Sequence, residues 1–195
     1  MDESGLRNNY VFTLIKFLLF LIILCFLVSL SREFWQQLKI ADSASIKVLT
    51  ISILSAFSFY AFIADLNNFY KGIQRFFFHS TFFAYIVPSI LILIGLGYFF
   101  LPKVLDMNFS RATFVFIGGF VITGHMIFVA RGNQGHNFST AVNYLFICSI
   151  IYILNLLLFS AYLRVGLHLD IGKIIFEGVK SGATLIQGIS TQAFR

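Results

Sequence analysis

The chain has 195 residues, of which 58% are hydrophobic and only 11% charged, with a formal net charge of +6. A water-soluble domain carries about a quarter of its residues as charges, so this composition excludes one and points to an integral membrane protein. The basic residues are scattered through the links between apolar runs. That pattern argues against nucleic acid as a partner and for charge that sets orientation in a lipid bilayer.

The first apolar run, residues 10–30, is long enough to cross a bilayer core. Asp2 and Glu3 beside Arg7, and an exit through Leu27, Val28 and Ser29 without a small-x-small cleavage site, read as a retained helix rather than a signal peptide. Residues 31–45 are polar, with Phe34, Trp35, Leu38 and Ala41 at helical spacing. They predict a short interfacial helix anchored by the single tryptophan. Asp42, Ser43 and Ser45 can cap a second span at 46–63, whose Ser52, Ser55 and Ala56 form a small-residue face.

Residues 65–75 read as a loop, with Phe69, Tyr70, Phe76, Phe77 and Phe78 crowding its end as an aromatic belt. The third span, 79–101, contains Pro88, which removes a backbone donor and predicts a kink whose freed carbonyl is satisfied by neighbours. A glycine-bearing fourth span covers 112–130, and a fifth covers 141–163. On the fifth, Cys148, Tyr152, Asn155 and Tyr162 share one face, so this polar stripe is expected to point into the bundle or at a partner. Cys25 and Cys148 both lie inside apolar runs, a placement that suits packed hydrophobes rather than a disulfide framework or metal site.

The expected fold class is therefore an all-α integral membrane protein. Five spans occupy residues 1–163, with a short interfacial helix, and an amphipathic tail occupies 164–195. In the tail, Ile171, Ile174, Ile175, Gly178, Val179, Gly182 and Leu185 lie on an apolar face opposite Lys173, Glu177, Lys180, Thr184 and Gln187. Glycines cost a lone helix stability, so Gly178 and Gly182 on the apolar side predict docking on protein, through Ile171, Ile175 and Leu185 as well.

With five spans, Arg7, Lys71, Arg75 and Arg131 fall on one side. Arg32, Lys39, Lys47, Lys103, Arg111, Arg164, Lys173, Lys180 and Arg195 fall on the other. The positive-inside rule then puts the N-terminus outside and the tail in the cytoplasm, in a plasma or bacterial inner membrane.

Lys16, Asp65, His79 and His125 are the ionisable groups that five antiparallel spans could collect into one layer, with Lys16 and Asp65 as an ion pair. Their plain alternative is snorkelling to the headgroups. Two histidines on neighbouring helices could also hold a haem b iron. His136 and His168 lie outside the spans on opposite sides, so no second pair exists for a diheme subunit. No phosphate loop, nucleophile elbow, zinc-helix motif or intramembrane acidic pair is present.

Three readings follow. The leading one is a non-catalytic, cofactor-free membrane subunit that docks on other membrane-protein subunits or on itself, in secretion, transport or respiratory machinery. The second is a small transporter or channel protomer using the Tyr152/Asn155 stripe. The third, and weakest, is a haem-bearing redox anchor.

Overall fold

The computed structural model describes residues 3–63, 67–77, 81–105, 110–132 and 138–193. These form eight helices and no strand: α1 (Glu3–Ala41), α2 (Ser43–Phe62), α3 (Asn67–Phe77), α4 (Thr81–Ile86), α5 (Ser89–Leu105), α6 (Arg111–Gly132), α7 (Phe138–Leu167) and α8 (Ile171–Ala193). Four stretches are long and apolar enough to cross a membrane, Tyr10–Ala41, Ser43–Phe62, Arg111–Arg131 and Ser139–Leu167. The protein is an all-helical chain compatible with a membrane location.

Three elements depart from the sequence expectations. The interfacial helix expected at 31–45 does not exist separately, because α1 runs unbroken to Ala41. No proline or glycine interrupts residues 31–41, and Phe34 and Leu38 are buried against the bundle instead of floating on lipid. The loop expected at 65–75 contains α3, which buries Tyr70 and Gln74, one turn apart, and leaves Phe69 and Phe76 exposed. The third span is divided at Val87 and Pro88 into α4 and α5, and the apolar part of α5, Ser89–Phe100, falls short of a full crossing. The expected belt residue Phe78 lies outside the described residues.

The helices pack as two parallel pairs. α1 lies beside α7 with Thr13 Oγ1 3.0 Å from Ser139 Oγ, and Phe34 and Phe159 5.8 Å apart between ring centroids. α2 lies beside α6, where Leu49 and Ser52 meet Gly119 and Tyr60 meets Gly124. An aromatic ladder then ties α5, α6, α7 and α1 together. Centroid separations are 4.0 Å for Tyr98–Phe114, 4.1 Å for Phe114–Tyr162 and 6.0 Å for Phe159–Tyr162. Tyr162 also donates its hydroxyl to the Phe114 carbonyl at 2.8 Å, which fixes the ring.

Two connections are tight. Asp42 alone separates α1 from α2. Its carboxylate accepts from Ala44 N at 3.1 Å and from Ser45 Oγ at 2.5 Å, capping α2. After α7, His168 takes a left-handed conformation (φ 55°) and donates its amide to Arg164 O, a helix stop more often made by glycine. Asp170 then caps α8 through Lys173 N at 3.1 Å.

That turn sends α8 back along α1. A side-chain carbon on Gly178 would strike Leu30, and one on Gly182 would strike Phe26, so the two helices run antiparallel in close backbone contact. Ile174 is fully buried there, and Ile171 is half-buried. Ile175 and Leu185, expected in the docking face, remain 41% and 44% exposed. The cover for the glycine face is the chain's own first helix.

Two substitutions test this packing. A methyl group on Gly118 would lie inside the Tyr162 ring, so Gly118→Ala is expected to cost about 1–3 kcal/mol. Gly72 on exposed α3 has nothing within 4 Å of such a methyl, so Gly72→Ala is expected to gain roughly 0.5–1 kcal/mol. Thermal unfolding in detergent distinguishes them.

Asp42 supplies a pH test. The Ser45 hydroxyl, then the neighbouring amides and the charge of Arg111, hold its carboxyl below the usual carboxylate range. A folded pKa below the unfolded one adds stability above the unfolded value of about 3.9, and that stability is lost as pH falls through the folded value. The thermal midpoint is expected to drop on acidification below about pH 4, and Asp42→Asn should flatten that part of the drop.

Candidate functional site: the broken helix and its cleft

The site is built around the break between α4 and α5. Proline has no N–H to give, and the residue before it is steered away from helical geometry. Successive carbonyls at the end of α4 are therefore left without their usual helical donors. In an apolar surrounding each must find another partner.

Three helices provide one each. His125 on α6 places Nε2 3.1 Å from Tyr85 O. Asn155 on α7 donates Nδ2 to Ile86 O at 3.2 Å. Gln74 on α3 donates Nε2 at 3.1 Å to Val87 O, which also accepts from Ser89 N at 3.0 Å. Gln74 in turn accepts from Ser89 Oγ at 3.1 Å, and its Nε2 lies 3.5 Å from His125 Nδ1.

Facing a carbonyl, Nε2 must carry the ring proton of a neutral His125, and Nδ1 is then the acceptor turned toward Gln74. All three side chains are at most 1% exposed. Tyr70 seals the cluster, donating to Val121 O at 2.9 Å and stacking on Phe128, which also stacks on Tyr85.

The sequence-predicted residues are distributed as follows. His125 and Asn155 meet at this break. Tyr152 lies one turn before Asn155 and pairs its hydroxyl with Ser31 Oγ on α1 at 3.1 Å. Lys16 donates to Asn143 Oδ1 at 2.7 Å, twelve residues of α7 before Asn155. That is about 18 Å along the helix, so Lys16 and His125 do not share a layer. Asp65 and His79 lie outside the described residues, and the expected Lys16–Asp65 and His79–His125 pairings lie there with them.

Gln74 and Tyr70 were hidden in a segment read as a loop. Their spacing of four, with Phe69, Ile73 and Phe77 around them, is the helical signal that could have found them.

Beside the break lies an apolar cleft of about 230 Å³ between α1, α2, α6 and α7. Trp35, Phe57, Ile122, Met126, Tyr152 and Asn155 are among its walls. Trp35 thus lines an internal surface instead of serving as an isolated interfacial anchor. Among the described residues, no three His, Cys, Asp or Glu side chains gather as a metal ion would need. No family model, no curated protein and no solved structure matches the chain.

The network predicts a specific pattern of losses. His125→Phe strands the Tyr85 carbonyl and is expected to cost about 1–3 kcal/mol. Gln74→Leu should cost a similar amount, and the double variant less than the sum of the two, because each single change already disrupts the shared cluster. Unfolding midpoints of the three variants give the coupling directly.

Proposed function

We propose that the chain is a non-catalytic, multi-pass membrane subunit that assembles with other membrane-protein subunits, or with copies of itself, through the outer surface of α1 and α8. The observation that carries this reading is the outward face of α8. Lys173, Glu177, Lys180, Thr184, Gln187 and Thr191 succeed one another at intervals of four and three, which lines them along one side of the helix. Gly178 and Gly182, on the opposite side, press against Leu30 and Phe26 in the apolar run of α1. The stripe therefore runs at the depth of an apolar span, where polar side chains call for protein or water rather than hydrocarbon. Beside it, α1 leaves Leu14, Leu18, Leu21 and Val28 exposed, a broad surface for a neighbouring helix.

A broken helix is also a device of transporters, where unwound carbonyls bind ions. Here the three carbonyls at the break are engaged by His125, Asn155 and Gln74. That use of the polar groups favours a structural role over a conducting one. In the proposed arrangement α4 and α5 complete a fifth, interrupted crossing. The N-terminus is outside and the α7–α8 turn is cytoplasmic, in a plasma or bacterial inner membrane; with α8 set aside, Arg32, Lys39, Lys47, Lys103, Arg111 and Arg164 against Arg7, Lys71, Arg75 and Arg131 support that orientation.

Assembly is tested by extracting the tagged protein in polymer-bounded lipid discs and measuring intact mass. A stoichiometric second chain is expected, and its recovery should fall at least several-fold in Thr184→Leu/Gln187→Leu without loss of insertion. A monomer of 22.1 kDa in native lipid would overturn the reading. Orientation is tested with His168→Cys in a background where Cys25 and Cys148 are serine. An impermeant thiol reagent is expected to reach it only in opened cells, and labelling of intact cells reverses the topology.

A further inference from the structure

We infer that the partner seated on the polar side of α8 is a second copy of this chain, held by Gln187 meeting its own counterpart. The inference rests on the assembly reading and names its partner. It starts from depth. Gly178 packs on Leu30 and Gly182 on Phe26, so each step forward along α8 is a step back along α1. Continued, that register sets Thr184 level with Leu24 and Gln187 level with Leu21, inside the apolar run at 10–30. Thr184, Gln187 and Thr191 are all exposed, on the side of the helix away from Gly178 and Gly182. Only 6% of the apolar window of α1 is buried, against 50% for α6, so α1 and the helix upon it stand at an edge of the bundle.

The hydrogen bonds already made decide what this stretch still offers. Thr184 gives its hydroxyl hydrogen to Lys180 O at 3.0 Å. Thr191 gives its own to Gln187 O at 3.0 Å or Gly188 O at 2.9 Å. Both threonines keep oxygen lone pairs as acceptors. The primary amide of Gln187 brings two N–H donors and a carbonyl acceptor. Donors and acceptors therefore occur together within about one turn on either side of Gln187. Hydrocarbon at that depth can answer neither.

Symmetry selects the partner. Two copies inserted in the same orientation are related by a two-fold axis along the membrane normal. Their α8 helices then run parallel, and a residue near the axis faces itself at equal depth. A lysine or glutamate cannot pair with itself in this way. A primary amide can, through two reciprocal N–H···O bonds. The second N–H of each Gln187 then reaches for Thr184 or Thr191 Oγ1 of the other copy, one turn away. An unrelated partner would need a matching set of groups at that depth, whereas a second copy carries it by symmetry. Gly188, beside Gln187, leaves the backbone open to approach, because a side-chain carbon there would meet nothing within 4 Å. Lys173, Glu177 and Lys180 lie toward the α7–α8 turn, where helices crossing at about 20–40° diverge. Glu177 of one copy there lies one turn from both lysines of the other.

The test uses the full chain in native membranes, with Cys25 and Cys148 replaced by serine and one cysteine placed on α8 at a time. Thr184→Cys and Thr191→Cys probe the stripe. Leu185→Cys and Ile189→Cys, also exposed, probe the other side of the same turns. Copper-phenanthroline oxidation is expected to join the stripe variants into a species of twice 22.1 kDa, with little product from the other two. Adding Gln187→Leu to Thr191→Cys is expected to lower the yield per inserted chain about tenfold, the loss of two interhelical hydrogen bonds.

Crosslinking that is equal on both sides, absent from the stripe, or indifferent to Gln187→Leu would overturn the inference. Intact mass in lipid discs separates it from the assembly reading. A complex of two identical chains supports both. A second chain of different mass, without a self-dimer, overturns the inference and leaves assembly standing, and a monomer overturns both.

Discussion

Backbone polar groups cannot be left bare in an apolar medium, and the structure follows from how that demand is met at Pro88. A continuous helix would satisfy its own carbonyls. The proline prevents this, and Tyr85, Ile86 and Val87 draw His125, Asn155 and Gln74 inward from α6, α7 and α3. The break thus works as a connector. Three helices with little else to distinguish their faces are given a shared register by hydrogen bonds that have direction, which apolar contact lacks.

Several other buried polar groups are satisfied in the same way. Ser160 and Thr123 return their hydroxyls to carbonyls one turn earlier, and Tyr162 caps a carbonyl across the α6–α7 contact. Lys16 finds an amide oxygen on the parallel neighbour rather than a bare hydrocarbon environment. Asn155 Oδ1 is the buried group at the break that is left over.

The α1–α8 pair carries a second tension. Close packing of Gly178 and Gly182 on Leu30 and Phe26 holds the first half of an amphipathic helix against an apolar one. One face of α8 is thereby covered, and the polar side is turned away from the bundle. A helix on the membrane surface would have the reverse arrangement, with its apolar side in lipid and its polar side in water. The intramolecular contact is what turns the stripe away from the bundle.

Sequence alone determined the helical class, the apolar runs, the disruption at Pro88 and the inward stripe of Tyr152, Asn155 and Tyr162. These depend on composition and on a 3.6-residue period, both written locally in the chain. It also marked Gly178 and Gly182 as a contact face, because glycine on an apolar helix side has few other uses. Sequence could not show that α1 continues through its polar stretch, since only burial of Phe34 and Leu38 against α7 holds that segment in the bundle. Nor could it show that Tyr70 and Gln74 belong to a helix whose inner face is the polar one, an inversion that makes sense only beside unpaired carbonyls. The partner of each donor was decided in three dimensions. Asn155, Gln74 and His125 are separated by 30 to 81 residues in the chain, and no spacing rule joins them. Only the packing of α3, α6 and α7 around the gap at Pro88 does.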